Sequence, residues 1–236
     1  MEKDESETEI ASGTANVIQI RSLNVFFGRT VALDHVDLDL EPGVVGLFGQ
    51  NASGKSTLLR VLAGLLQPTS GWVTWDGTPV NSSGEELRAR IGYAGHSSGL
   101  YLKLSIRENL ALFARLYGVA PKRVDIALDV LGLAPHAATP VGRLSAGFKR
   151  RAGVARALLH EPDLLLLDEP YAHLDDEASE AVSEAIRSWR APARTAVIAT
   201  HGAKRIKQFI DTRVVLQRGR VVTQLDAAAL AARTPV

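Results

Sequence analysis

The chain has 236 residues, 46% hydrophobic and 22% charged, enough apolar content for one large packed domain or two small ones. Its formal net charge of +1 offers no reason for a nucleic-acid-binding surface, so no nucleic-acid partner is expected. The absence of cysteine excludes a disulfide framework and any thiolate metal site, and it suits a reducing cytoplasm.

Residues 1 to 15, MEKDESETEIASGTA, are acidic and polar where a signal peptide would be basic and then apolar; they read as a disordered tail. Residues 16 to 236 are expected to form a single domain. From Val17 the chain is β-rich: VIQIRSLNVFF, then VDLDL with Val36, Leu38 and Leu40 in strict alternation, then the buried strand VVGLF after the turn Glu41-Pro42-Gly43. STLLRVLAGLL predicts a helix ending near Gly64. PTSG and GWVTWDGTPV follow as a turn and a hairpin with Asp76-Gly77 at its tip.

The middle is helical. In IRENLALFARLYGV, the residues Ile106, Leu110, Phe113 and Tyr117 share one helical face, and Val124, Leu128 and Leu131 do so in VDIALDVLGL. A second α/β stretch runs through the helix LSAGFKRRAGVARALL, the apolar strand LLLLDE, the helix DEASEAVSEAIRSW, the strand TAVIAT and the hairpin-like RVVLQRGRVV. Strands that are apolar throughout and alternate with helices predict a parallel sheet covered on both faces. LDAAALAAR ends the chain as a short helix. No apolar run approaches the roughly 18 residues of a membrane span, because Asp168 cuts off the run at 164 to 167. The expectation is a soluble protein unless a partner holds it to a membrane.

Residues 49 to 56, GQNASGKS, match the P-loop pattern GxxxxGK followed by Ser or Thr, and they sit between a strand and a helix. A glycine-rich turn there lets backbone N–H groups converge on a phosphate chain, at a helix end whose dipole favours anions. Gly49, Asn51, Ala52, Ser53, Gly54, Lys55, Ser56 and Thr57 are the candidate phosphate-binding residues. Lys55 can reach the terminal phosphates, and Ser56 can ligate magnesium. The strand LLLLDEP ends in two carboxylates. Asp168 is the expected magnesium ligand and Glu169 the general base that activates water.

Three further motifs follow in order. LSAGFKRR resembles the ABC signature, with Ser145 and Gly147 at its matching serine and glycine and with Ala146 and Phe148 in place of glycine and glutamine. HLDD, residues 173 to 176, resembles the D-loop through Leu174 and Asp175, and ATH, residues 199 to 201, resembles the switch motif with His201. With the P-loop, these make residues 17 to 222 similar to the nucleotide-binding subunit of an ATP-binding cassette (ABC) transporter.

That resemblance implies an α/β P-loop ATPase fold: a mostly parallel core sheet, an antiparallel β-subdomain, and a helical subdomain at about 97 to 160 that touches membrane partners. It implies an ATPase using ATP and Mg2+, with Glu169, His201 and Lys55 catalytic. Ser145, Gly147 and Asp175 would meet nucleotide bound to the opposite subunit of a head-to-tail dimer, a homodimer by expectation. It further implies a transmembrane permease subunit, peripheral attachment to the cytoplasmic membrane face, and transport, with export the favoured direction. The other reading is a soluble ABC ATPase that remodels or scaffolds a complex. Phe27, in FFGRTVAL, is the choice for stacking on adenine, with Phe26 in reserve.

The chain also departs from that pattern. His96 stands where the family has a glutamine that senses metal and lytic water, and it is taken as a third metal-associated residue beside Ser56 and Asp168. An imidazole, unlike an amide, changes charge near neutral pH, so activity profiles of wild type and His96→Gln are expected to diverge between about pH 6 and 8. Gly95-His96 with the Ala146 signature resembles the ATPase subunit of the haem exporter of cytochrome c maturation. Ala52 replaces a common glycine, with binding expected to survive.

Overall fold

A computed structural model describes residues 16–80, 84–202, 205–226 and 229–230. The predicted N-terminal tail and most of the C-terminal helix LDAAALAAR lie outside the described residues. Two sheets organise the chain. The first is antiparallel, in the order β2-β1-β4-β5, built from β1 (Ile18–Phe27), β2 (Thr30–Leu40), β4 (Ser70–Trp75) and β5 (Thr78–Pro79). The second has six strands in the order β10-β9-β3-β8-β7-β6. In it β3 (Gly43–Phe48), β6 (Ile91–Ala94), β7 (Leu164–Asp168), β8 (Thr195–Thr200) and β9 (Thr212–Gln217) run parallel, and β10 (Arg220–Leu225) returns antiparallel at the edge.

Why the strands of this second sheet are apolar throughout is visible in β7. Leu164 and Leu166 join one core and Leu165 and Leu167 the other, because successive side chains point to opposite faces and both faces are covered. Ala196 and Ile198 of β8 likewise face one core while Val197 and Ala199 face the other. On the first face lies α1 (Lys55–Leu62), whose Leu58, Leu59, Val61 and Leu62 are wedged between the two sheets. On the second face pack α3 (Ile106–Leu116), α4 (Lys122–Val130), α5 (Ala146–Leu158) and α6 (Asp176–Trp189). A short α2 (Glu85–Ala89) precedes β6.

Local chemistry sets the element ends. Ser105 and Glu108 form a capping box that starts α3, with the Ser105 N–H donating to Glu108 at 2.8 Å and the Glu108 N–H donating back to Ser105 at 3.2 Å. The hairpins turn at Asp76-Gly77 and Arg218-Gly219, all four residues in the left-handed region that a two-residue turn demands.

Tyr117, at the end of α3, stacks on His160 beyond α5 with ring centroids 3.9 Å apart and planes 10° from parallel. Both ring nitrogens of His160 are buried without a hydrogen-bond partner. Burial pulls its pKa from 6.5 down to about 4. The unfolded chain therefore takes up this proton first: the stability contributed by the neutral ring is complete above about pH 6.5 and is lost as pH falls toward 4. Thermal melts at pH 7 and 4.5 should show a lower Tm in acid, with a smaller drop for His160→Phe, which keeps the stack and cannot titrate. An equal drop in both proteins would remove His160 from the account.

Candidate active site

Parallel pairing brings the chemistry to one edge of the core sheet. Phe48 of β3 pairs with Thr200 of β8, and Asp168 of β7 pairs with Ala199 of β8. The carboxyl ends of β3, β7 and β8 thus lie side by side, and Ala94 of β6 pairs with Leu167 just before Gly95 and His96. Open parallel sheets bind ligands at this edge, because the loops leaving it converge there.

The loop after β3 is shaped by two glycines. Gly49 has φ 156°, and a Cβ there would lie 2.4 Å from both the Leu216 carbonyl oxygen and Ser53 Oγ. Gly54, at φ 106°, caps α1, and its Cβ would lie 2.6 Å from the Ala32 carbonyl oxygen. Between them Ala52 accepts a left-handed φ of 60°. Lys55 is buried. Its ammonium donates to the Gly49 carbonyl at 2.8 Å and the Gln50 carbonyl at 3.0 Å, which holds the charge across the mouth of the loop.

A cleft of about 590 Å³ opens above this loop. Asn51, Ala52, Ser53, Gly54, Lys55, Ser56 and Thr57 line it, and so do Phe27, His96, Asp168, Glu169 and His201. Asp168 is buried, and Ser56 opens the first turn of α1. Phe27 is half exposed and faces the cleft; Phe26, equally exposed, is not part of its lining. Among the described residues, no three His, Cys, Asp or Glu side chains gather as a metal cluster. One hydroxyl and one carboxylate suit a magnesium ion that takes its other oxygens from phosphate and water.

Glu169 is the most constrained group in the cleft. Its backbone sits at φ 51°, and its N–H donates to the Ala199 carbonyl at 2.8 Å. The His201 N–H and the His201 ring Nδ1 contact carboxylate Oε1 at 3.0 and 2.9 Å, and the Thr200 hydroxyl donates to Oε2 at 3.1 Å. With these three contacts, about one of its four acceptor positions stays open. Thr200 escaped the sequence reading although it precedes His201 in the quoted ATH; its signal was a hydroxyl at the end of a buried strand.

Arg150 was missed as well. It is 9% exposed on α5, and its Nη1 donates to the Gly95 carbonyl at 2.8 Å and the Asp168 carbonyl at 3.2 Å, tying the ends of β6 and β7 together beside the cleft. Burial lowers its pKa, while the charges of Asp168 and Glu169 oppose the shift. An arginine on the otherwise small-residue face that Ala146, Gly153 and Ala157 form on α5 was the available clue.

Four predicted residues do not line this cleft: Gly49, which shapes the loop beneath it, and Ser145, Gly147 and Asp175. Ser145 caps α5, accepting from the Phe148 N–H at 3.3 Å, and Asp175 caps α6, accepting from the Ala178 N–H at 2.8 Å. Gly147 packs on the loop before α6, where a Cβ would lie 2.8 Å from the His173 carbonyl oxygen. The signature and D-loop residues therefore form one surface, separate from the P-loop of the same chain.

The ABC transporter family model matches residues 33–172. The chain is 33% identical over 213 residues to the Nod factor export ATP-binding protein I of Cupriavidus metallidurans, covering 88% of this chain and 70% of that one. It is 33% identical over 214 residues to the bacitracin transport ATP-binding protein BcrA of Bacillus licheniformis, covering 89% and 70%. Among solved structures, the ATP-binding subunit of an ABC transporter superposes with a TM-score of 0.81 at 26% identity, over 89% of this chain and 90% of that one. A dimeric post-hydrolysis ATP-binding cassette bound to ADP and Pi gives a TM-score of 0.81 at 25% identity, over 89% and 98%. With its fold, its converging nucleotide motifs and these relatives in agreement, the chain belongs to the ABC transporter family, as an ATP-binding and ATP-hydrolysing subunit.

Proposed function

We propose that two copies of this chain clamp two ATP molecules head to tail, and that closing and reopening drive a separate transmembrane permease, in the direction of export. One observation carries the reading: Lys55, Asp168, Glu169 and His201 share one cleft, whereas Ser145 and Gly147 are not part of its lining. A second subunit would bring its signature over the first subunit's nucleotide and complete the site. Relatives named for Nod factor export and bacitracin transport support the transport role, and the first of them the outward direction. Among the described residues no helix is long and apolar enough to cross a membrane; a permease in a separate chain is part of this proposal.

In this mechanism the loop N–H groups and Lys55 hold the phosphates, and Ser56 and Asp168 hold Mg2+, which supplies charge neutralisation on the phosphate oxygens. Glu169 offers its open acceptor position to the attacking water and takes its proton. His201, fixed by Glu169, faces the transferred group. Catalysis is positioning and electrostatics, since phosphoryl transfer demands little else of the protein. His96 and Arg150 both line the cleft.

Phe27 is the adenine platform in this reading. Replacing Phe27 by Ala should weaken ATP binding by about 1–3 kcal/mol, the usual worth of one base stacked on an aromatic ring, and leave binding of inorganic triphosphate unchanged. Fluorescence titration with the two ligands separates the outcomes, and an equal loss for both would remove Phe27 from base recognition.

Affinity capture of the tagged chain from native membranes in detergent, with ATPase assays beside Glu169→Gln, tests the whole reading. A multispanning protein retained with Glu169-dependent activity identifies the permease and decides the narrower haem-exporter resemblance, which rests on Gly95-His96 and the Ala146 signature. A purely soluble partner set overturns the transport reading in favour of complex remodelling.

A further inference from the structure

A second cavity, of about 260 Å³, adjoins the nucleotide cleft between the 95–98 loop and α5. It shares His96 and Arg150 with the cleft, so these two side chains form the partition between the two volumes. Its other polar walls are Lys149, from α5, and His173, from the loop before α6, with Ser97 and Ser98 across from them. No Asp or Glu lines it. Gly153 lets the 95–98 loop lie against α5, since even a Cβ there would meet Ser98 Cα at 3.3 Å.

Arg150 gives this cavity its chemistry. Its side chain is more than nine-tenths buried, and its bonds to the Gly95 and Asp168 carbonyls use Nη1 alone. Nε and Nη2 have no hydrogen-bond partner among the described residues. Neither atom is sealed off from the open volume, and the charges of Asp168 and Glu169 support the guanidinium from the cleft side. A fixed planar fork with spare donors, a lysine and two imidazoles around a carboxylate-free space are the donor set for an oxyanion, phosphate above all.

We propose that this cavity is a second oxyanion site, which receives inorganic phosphate from the hydrolysis cleft past Arg150 and holds it on Lys149 and His173. The inference rests on the clamped-dimer reading. While ADP occupies the P-loop and a second subunit covers the cleft, phosphate cannot leave by the way ATP entered. The partition of His96 and Arg150 is then its way out.

The test is calorimetric titration of the full chain, saturated with ADP, with inorganic phosphate. Wild type should bind phosphate, and Lys149→Gln combined with His173→Gln should bind it at least about fivefold more weakly, the loss expected when charge-assisted bonds are removed. Lys149→Arg should retain binding. In rapid-quench single turnovers followed beside a fluorescent phosphate sensor, the double variant should change the interval between cleavage and phosphate release relative to wild type. Equal phosphate affinity in wild type and the double variant overturns the proposal, as does wild type that takes up no phosphate at up to about 10 mM. If wild type fails to cleave ATP at all, the ATPase reading falls instead, and the phosphate titration still reads the cavity.

Discussion

Glu169→Gln should lower the rate of ATP cleavage by about 10²–10⁴-fold, the range for losing a positioned general base, with ATP binding kept within about twofold. The substitution is chemically clean in this setting. The new amide oxygen can accept from the His201 N–H and ring as Oε1 does now, and the amide nitrogen can donate to Thr200, whose hydroxyl rotates to accept. Shape and anchoring survive while basicity is lost. Single-turnover quench measurements beside equilibrium nucleotide titration check both halves. A cleavage rate close to wild type would remove Glu169 from the base role, and a collapse of binding would show that its charge organises the P-loop.

Gly54→Ala should be among the costliest conservative changes in the phosphate-binding loop. At φ 106° the backbone is out of reach for an ordinary side chain, and the added Cβ would stand 2.6 Å from the Ala32 carbonyl oxygen and 2.9 Å from Leu33 Cδ2. The first of these is backbone of β2 and cannot swing aside. Strain of this kind costs about 1–3 kcal/mol before the collision is relieved. A destabilisation of about 3 kcal/mol corresponds to roughly 6–12 °C in Tm for a chain of this size. Because the loop N–H groups must converge within tenths of an ångström, nucleotide affinity should fall at least about 100-fold. Calorimetric melts and ATP titration check the two effects. Ala52 is the contrast: its left-handed φ of 60° carries a methyl group without blocking the loop, as its exposure allows.

Where the pattern was long and periodic, the elements were legible. α6 spans the same 14 residues as the run DEASEAVSEAIRSW, because an acidic N-terminal turn and a regular apolar stripe are both local signals. The alternating β2 and the apolar β7 were equally plain. β6 passed unseen: four residues, IGYA, carry too little period to declare a strand, and only pairing with β7 makes them one. α2 is shorter than two turns and had no stripe to show. Tyr117, placed on the apolar face of α3, instead ends that helix and spends its ring on His160.

Local sequence alone carried a P-loop match between strand and helix, two carboxylates at one strand end, a histidine at another, and the apolar strands of a parallel sheet. These are local facts, written in glycine spacing, strand-end residues and hydrophobic period. Only the tertiary structure decided that Asp168, Glu169, Thr200 and His201 meet at one sheet edge, that Arg150 joins them, and that Ser145 and Gly147 do not. Those outcomes depend on hydrogen-bond pairing between strands 31 residues (β7 and β8) to 152 residues (β3 and β8) apart, and on which helix face is buried. Such choices are made by the total free energy of packing, and no short stretch of sequence carries them.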